Sequence, residues 1–167
     1  MSVEEVVATV LRHQLEKIGP SVSVDRFLSG YGNVRTKAAY AGRLAAYLGW
    51  LRDEKGVTMS PDELILDNLR CIPSSDPTDV LTKRRHTDLM GEYVNKYLIE
   101  RGVSESLRGV TTAAIRQFYL TNDSPLFGHF KQASQPVRIP PKPLFTEDIR
   151  RVLLAMNPRM RTVPLIV

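Results

Sequence analysis

Apolar residues recur every three or four positions along most of this chain, and the pattern breaks at Gly, Pro and Asn. Val3, Val6, Val7, Val10, Leu11, Leu15 and Ile18 fall on one side of a 3.6-residue wheel, which predicts a helix over 3–18. Gly19-Pro20 stops it. A short helix follows around Val24–Leu28, and Gly30, Gly32 and Asn33 make a turn. The next helix runs from about Arg35 to Glu54, with Tyr40, Leu44, Tyr47, Leu48 and Leu51 as its apolar stripe and Trp50 at the margin. Ser60-Pro61, followed by Asp62 and Glu63, is a helix start: an N-cap, then Pro at the first helical position, then acids that suit the dipole. That helix ends near Arg70, Pro73 to Asp76 is a turn, and Asp76-Pro77 opens a long helix carrying Val80, Leu89, Tyr93, Val94, Tyr97 and Leu98. Gly102 ends it. Ser104 then caps a helix whose stripe is Leu107, Val110, Ala114 and Phe118. No segment reads as a strand.

Two helices carry a second pattern beside the apolar one. On the helix after Ser104, Arg108, Thr112 and Arg116 are spaced i, i+4, i+8 with Tyr119 beside them, so that face either lies against phosphates or is an ordinary solvated surface. The face opposite the stripe of the 35–54 helix is small: Ala38, Ala39, Gly42, Ala45, Ala46 and Gly49. Each helical Gly costs up to about 1 kcal/mol against Ala, so a close approach is implied, by another helix or by a DNA backbone. Thr36, Lys37 and Arg43 lie near the start of this helix, where free N–H groups and the dipole attract phosphate.

Beyond Asp123 the periodicity stops. Gln132 to Phe145 holds Pro136, Pro140, Pro141 and Pro143 with Arg138 and Lys142 between them, an extended semi-rigid strap. Thr146 caps one more helix, with Ile149, Val152, Leu153 and Met156 as its stripe, and the chain closes on the apolar run Val163 to Val167. That run is expected to open a second, missing domain.

Charge sharpens this layout. The chain of 167 residues carries a net charge of +5. Residues 1–127 balance at 16 basic and 16 acidic side chains, and residues 128–167 hold seven basic and two acidic. Residues 26–52 contain five Arg or Lys and no acid, residues 53–79 seven acids and two bases, and then Lys83, Arg84 and Arg85 arrive together. Such sorting fits one basic side facing a polyanion. The single cysteine, Cys71, excludes an internal disulfide and points to a reducing compartment. Cys71 with His13, His86 and His129 shows no metal spacing, so no metal or cofactor is expected. No run is long and apolar enough to span a bilayer and no signal peptide opens the chain, which predicts a cytoplasmic location and no membrane partner. No phosphate loop, His-Glu-x-x-His, GxSxG or tuned carboxylate pair is present, so no small-molecule substrate is expected; Asp62/Glu63 and Glu147/Asp148 read as first-turn dipole partners.

The order of parts resembles the N-terminal core-binding (SAM-like) region of tyrosine recombinases, the phage-integrase and Xer group. The matching pieces are Thr36-Lys37-Ala38-Ala39-Tyr40 leading to Leu44, Leu48 and Leu51; the helix from Ser104 through Ile115, Arg116, Phe118 and Tyr119; Asn122-Asp123-Ser124-Pro125-Leu126; and the strap running into Leu144-Phe145-Thr146-Glu147-Asp148-Ile149. The resemblance covers roughly residues 22–160. It implies an all-α helical bundle, with residues 1–20 as an N-terminal helix, 21–130 as the core-binding domain, 131–145 as a basic Pro-rich linker and 146–167 as the start of a truncated catalytic domain.

Family catalysis uses a tyrosine nucleophile with arginines, histidine and lysine around the scissile phosphate. This chain has no such arginine motif, no His-x-x-Arg and no C-terminal tyrosine in a catalytic setting, so it is expected to bind duplex DNA and not to cut it. The expected contacts are Thr36, Lys37, Arg43, Lys83, Arg84, Arg85, Arg108, Thr111, Thr112 and Arg116, with Lys131, Arg138 and Lys142 on the strap. Arg108 or Arg116 is expected to reach a base edge. Other recombinase protomers on DNA are the further partner implied. Two alternatives stay open: a helical protein–protein adaptor using the 3–18 helix and the small-residue face, and a catalytically dead integrase-derived regulator.

Overall fold

The computed structural model describes residues 2–71 and 79–134. The turn expected at Pro73–Asp76, the strap beyond Ser134 and the helix at Thr146 lie outside them. The described chain is all helical: α1 (Val3–Ile18), α2 (Val22–Ser29), α3 (Val34–Lys55), α4 (Pro61–Cys71), α5 (Val80–Glu92), a π-helical turn (Tyr93–Tyr97), α6 (Leu98–Glu100) and α7 (Glu105–Thr121). The helix starts follow their caps. Ser2 and Glu5 close a reciprocal capping box on α1, Ser21 caps α2, the Asn33 side chain accepts from Arg35 N–H at 2.8 Å, and the Ser104 hydroxyl caps α7. Gly56, at φ +66°, ends α3 in the left-handed conformation that a Cβ would strain.

Helix α3 is the centre. Ala41, Leu44, Tyr47, Trp50 and Leu51 are buried among Phe27 and Leu28 of α2, Leu64 and Ile65 of α4, Met90 of α5, Tyr93 and Val94 of the π turn, and Ile115, Phe118 and Tyr119 of α7. Trp50, expected at the margin, is a core residue: it packs on Tyr47, Tyr93 and Tyr97, with Lys55 Nζ 5.3 Å from its ring centre. Helix α1 lies against α3, contributing Leu11, Leu15 and Ile18 to the edge of the core. Glu4 to Ala8 share a cleft with Gly32 to Arg35, and Gln14 to Ile18 share one with Gly42 to Gly49, so the two helices run parallel. A Cβ on Gly42 would meet the Gln14 side chain at 3.8 Å, whereas Gly49 faces open space. A neighbouring helix therefore accounts for Gly42 but not for Gly49.

The tail after α7 returns over the bundle. Thr87 donates to the Phe127 carbonyl at 2.8 Å, and Phe130 lies on Gly91, where a Cβ would stand 3.4 Å from its ring. Asn95, carried on the π turn, donates to the Lys131 carbonyl at 2.9 Å and accepts from Ala133 N–H at 2.8 Å. Gln132 donates to the Glu105 carbonyl. Residues 131–134, expected to begin the strap, are thus tied to the bundle by side-chain hydrogen bonds.

Several buried polar groups act as clasps between helices distant in sequence. Asn68 donates to the carbonyl and hydroxyl of Ser124, at 2.9 and 2.7 Å, and Asn122 donates to the Ser23 carbonyl. Asp62, expected only as a dipole partner of its own helix, reaches across to α2. It accepts from Ser21 Oγ at 2.9 Å, from Ser23 N–H at 2.8 Å, from Ser23 Oγ and from Val22 N–H. It therefore satisfies free donors at the start of a second helix.

Burial pushes the Asp62 carboxyl upward, but the hydrogen bonds from Ser23, Ser21 and Val22 outweigh it and hold the group below its ordinary value of 3.8. A carboxyl held lower in the folded than in the unfolded chain stabilises fully above the ordinary value and loses that contribution as pH falls through the folded one. Asp62→Ala is expected to lower the unfolding free energy by about 1–2 kcal/mol at pH 7. In urea titrations the gap to wild type should close as pH falls below 3.8, through the depressed folded-state value.

Candidate nucleic-acid interface

The opening of α3 differs in charge from those of α1, α2, α4 and α7. The first turns of α1, α2, α4 and α7 carry Glu4 and Glu5, Asp25, Asp62 and Glu63, and Glu105, as the helix dipole favours. The first turn of α3 carries no acid and holds Arg35, Thr36 and Lys37. Arg35 is exposed and Thr36 and Lys37 are half-buried. Thr36 and Arg43 are seven residues apart and share a face. Arg43 is half-buried with its charge near the Tyr93 phenol, which burial, followed by the neighbouring Tyr97, pushes up to about 12 against the opposing pull of Arg43 and Arg101. Arg101 itself stacks on the Tyr97 ring at 4.4 Å.

The basic cluster on α5 separates on inspection. Lys83 is half-buried and makes no ion pair among the described residues. Arg84 pairs with Asp88 at 3.5 Å and lies over Gly128, whose φ of +84° and 2.8 Å approach exclude a Cβ. Arg85 pairs with Asp67 at 3.2 Å. Two of the three cations thus already have carboxylate partners.

Helix α7 is rotated from its expected setting. Val110, placed in the apolar stripe, is 39% exposed, and the buried face instead runs Arg108, Thr111, Thr112, Ala114, Ile115, Phe118 and Tyr119. Arg108, expected at a phosphate or a base edge, is completely enclosed. Its guanidinium donates to the Ala133 carbonyl at 2.9 Å, while Nε and the second terminal nitrogen have no partner among the described residues. Thr111 and Thr112, expected to fix register on DNA, donate to the carbonyls of Leu107 and Arg108, at 2.8 and 2.9 Å. None of the three is on the surface. Residues 131–134 return over the Arg108 end of α7, where Ala133 accepts from the guanidinium and Gln132 donates to Glu105. Arg116 is exposed and lines a shallow depression with Gln117, Leu120, Pro125 and Leu126. Lys131 is exposed, and Arg138 and Lys142 lie outside the described residues.

One polar cluster is assembled only by the packing of the helices. His86, 1% exposed, has Nδ1 3.0 Å from the Tyr119 hydroxyl and Nε2 2.9 Å from Asp67 Oδ2. Burial lowers its pKa, and the hydrogen bond and charge of Asp67 oppose this. The Tyr119 phenol is pushed well up by burial. Cys71 joins Asp67 and His86: one ligand-type atom from each lies within 4.8 Å of the others. Burial, then the Asp67 charge, raises the Cys71 thiol. Asp67 and Cys71, four residues apart on α4, were legible as sharing a face. His86 reaches them only through the packing of α5.

Comparison with protein-family models, curated proteins and solved structures finds no match for this chain.

The burial of Arg108 yields a stability test. Arg108→Met keeps the long stem and removes two unpartnered donors, so its urea midpoint should equal or exceed that of wild type. Arg108→Ala leaves a cavity and should cost about 2–5 kcal/mol. A loss of similar size in Arg108→Met would mean that the guanidinium, not the stem, holds the tail.

Proposed function

We propose that this chain binds duplex DNA through its phosphates, as the core-binding half of a tyrosine recombinase-like protein and without a catalytic centre of its own. The observation that carries the reading is the start of α3. Arg35 and Lys37 occupy the first turn with no acid, Thr36 and Arg43 share a face, and none of these cations forms an ion pair among the described residues. Free N–H groups and the positive end of a 22-residue helix reinforce that charge. Lys83, Arg116 and Lys131 are further cations without carboxylate partners among the described residues. The order of helices and caps in the sequence supports the recombinase-like assignment. Arg108, Thr111 and Thr112 have no part in this contact, and Arg84 and Arg85 join it only by leaving Asp88 and Asp67. With Arg108 enclosed, any base-edge contact by a candidate α7 arginine falls to Arg116.

A second reading rests on α1. Val3, Val6 and Val10 form an exposed stripe, 63%, 41% and 46% accessible, and would suit a helical protein partner.

Fluorescence anisotropy with a labelled random 30-base-pair duplex separates the two. DNA binding should weaken steeply with salt, with a slope equivalent to about four or more phosphates. Lys37→Ala and Arg43→Ala should each reduce that slope by about one, and Arg108→Met should leave it unchanged. No binding at low salt would overturn the DNA reading. Salt-resistant association abolished by Val6→Glu would establish the adaptor.

A further inference from the structure

The cluster at the junction of α4 and α5 has the chemistry of a metal site. Asp67 and Cys71 project from one face of α4 at i, i+4, and His86 meets them from α5. Carboxylate oxygen, thiol sulfur and imidazole nitrogen lie within 4.8 Å of one another. We propose that Asp67, Cys71 and His86 form a three-ligand site for a borderline-soft divalent cation of the zinc type, with the fourth position left to water.

The groups around the ligands are arranged as such a site requires. A ligating histidine is normally fixed by a partner on its other ring nitrogen, and here the Tyr119 hydroxyl stands 3.0 Å from His86 Nδ1. Arg85 holds Asp67 from outside at 3.2 Å and orients it. In the metal-free protein His86 Nε2–H donates to Asp67, and Tyr119 donates to Nδ1. On binding, the ring proton moves from Nε2 to Nδ1, Nε2 takes the cation, and Tyr119 turns from donor to acceptor, a change a hydroxyl makes without losing its proton. The Cys71 thiol loses its proton to solvent and binds as thiolate. One proton is released for each cation taken up, and no other bond changes.

The required movements are small. Two ligands at about 2.0 Å from a tetrahedral zinc ion stand about 3.3 Å apart, so Nε2 and Oδ2 must separate by a few tenths of an ångström from 2.9 Å. Cys71, the last residue of α4, must close by about 1.3 Å at most. Asp67 is the ligand open to water, its side chain 22% exposed against 1% for His86, so the fourth position faces that side. The same cluster does not suit a thiol nucleophile, because both histidine nitrogens are engaged elsewhere and burial holds the thiol in its protonated form. A bound cation would join α4 to α5 directly, independently of any DNA contact.

The test is a titration of the reduced, chelator-washed full chain with Co2+ alone, then with Zn2+. The expected result is one Co2+ per chain, thiolate-to-cobalt absorption in the near ultraviolet, the strong visible bands of a tetrahedral ion, release of one proton, and displacement by Zn2+. Zn2+ should also raise the thermal midpoint of wild type by several degrees and leave that of Cys71→Ser unmoved. Asp67→Asn should weaken Co2+ binding at least about tenfold while circular dichroism shows the fold retained. Absence of the thiolate band in wild type would overturn the proposal. So would a band of undiminished affinity in Asp67→Asn, which would assign the ion to Cys71 alone.

Discussion

Burial of α7 against α3 is the contact on which the rest of this bundle depends. Ala114, Ile115, Phe118 and Tyr119 meet the central helix at the position where Leu44, Tyr47 and Leu51 are most enclosed. Fully burying side chains of this size contributes roughly 1.5–3 kcal/mol each, so this seam outweighs any surface charge pattern in setting the rotation of α7. Once Ile115 and Tyr119 point inward, Arg108 and Thr112 must follow, because each stands seven residues, about two turns, before one of them on the same face. The threonines are accommodated by bonding their own backbone, and Arg108 by the returning tail.

Polar side chains tie the helices together as well. Asp62, Asn68, His86, Arg108 and Asn122 each link elements distant in sequence. Buried polar groups without partners are costly, so these clasps specify one arrangement of helices more sharply than apolar packing does. The π turn belongs to the same scheme. It turns Tyr93 onto Trp50 and Tyr47 while presenting Asn95 to both sides of the tail. From Phe127 to Ala133 the tail is held by side chains of Thr87, Asn95, Arg108 and Gln132.

The functional consequence is a division of the cations into two kinds. Arg84 and Arg85 are engaged by carboxylates, and Arg108 is enclosed, so they serve the fold first. Arg35, Lys37 and Arg43 of α3, with Lys83, Arg116 and Lys131, stand without such partners among the described residues and remain available to an external anion. A cationic first turn on α3 is unfavourable for the isolated helix and becomes favourable only when an anion is present.

The sequence by itself determined which described segments are helical and, at Ser60 and Ser104, where they begin; the start expected at Asp76-Pro77 lies outside the described residues, and the described helix begins at Val80. Caps such as Ser21, Asn33, Ser60 and Ser104 act within three residues, and apolar spacing is a local property of the chain. It also marked Tyr47, Leu44 and Leu51 as core and grouped Thr36, Lys37 and Arg43 on α3. Tertiary structure alone decided the fate of Arg108, Thr111 and Thr112, because a side chain's burial depends on which distant segment covers it. It alone placed Trp50 in the core, carried Asp62 to the N-terminus of α2, and brought His86 to Asp67 and Cys71. Periodicity reports where a helix has two faces; which face wins, and what a polar residue meets there, is fixed by packing between residues 19 to 99 positions apart.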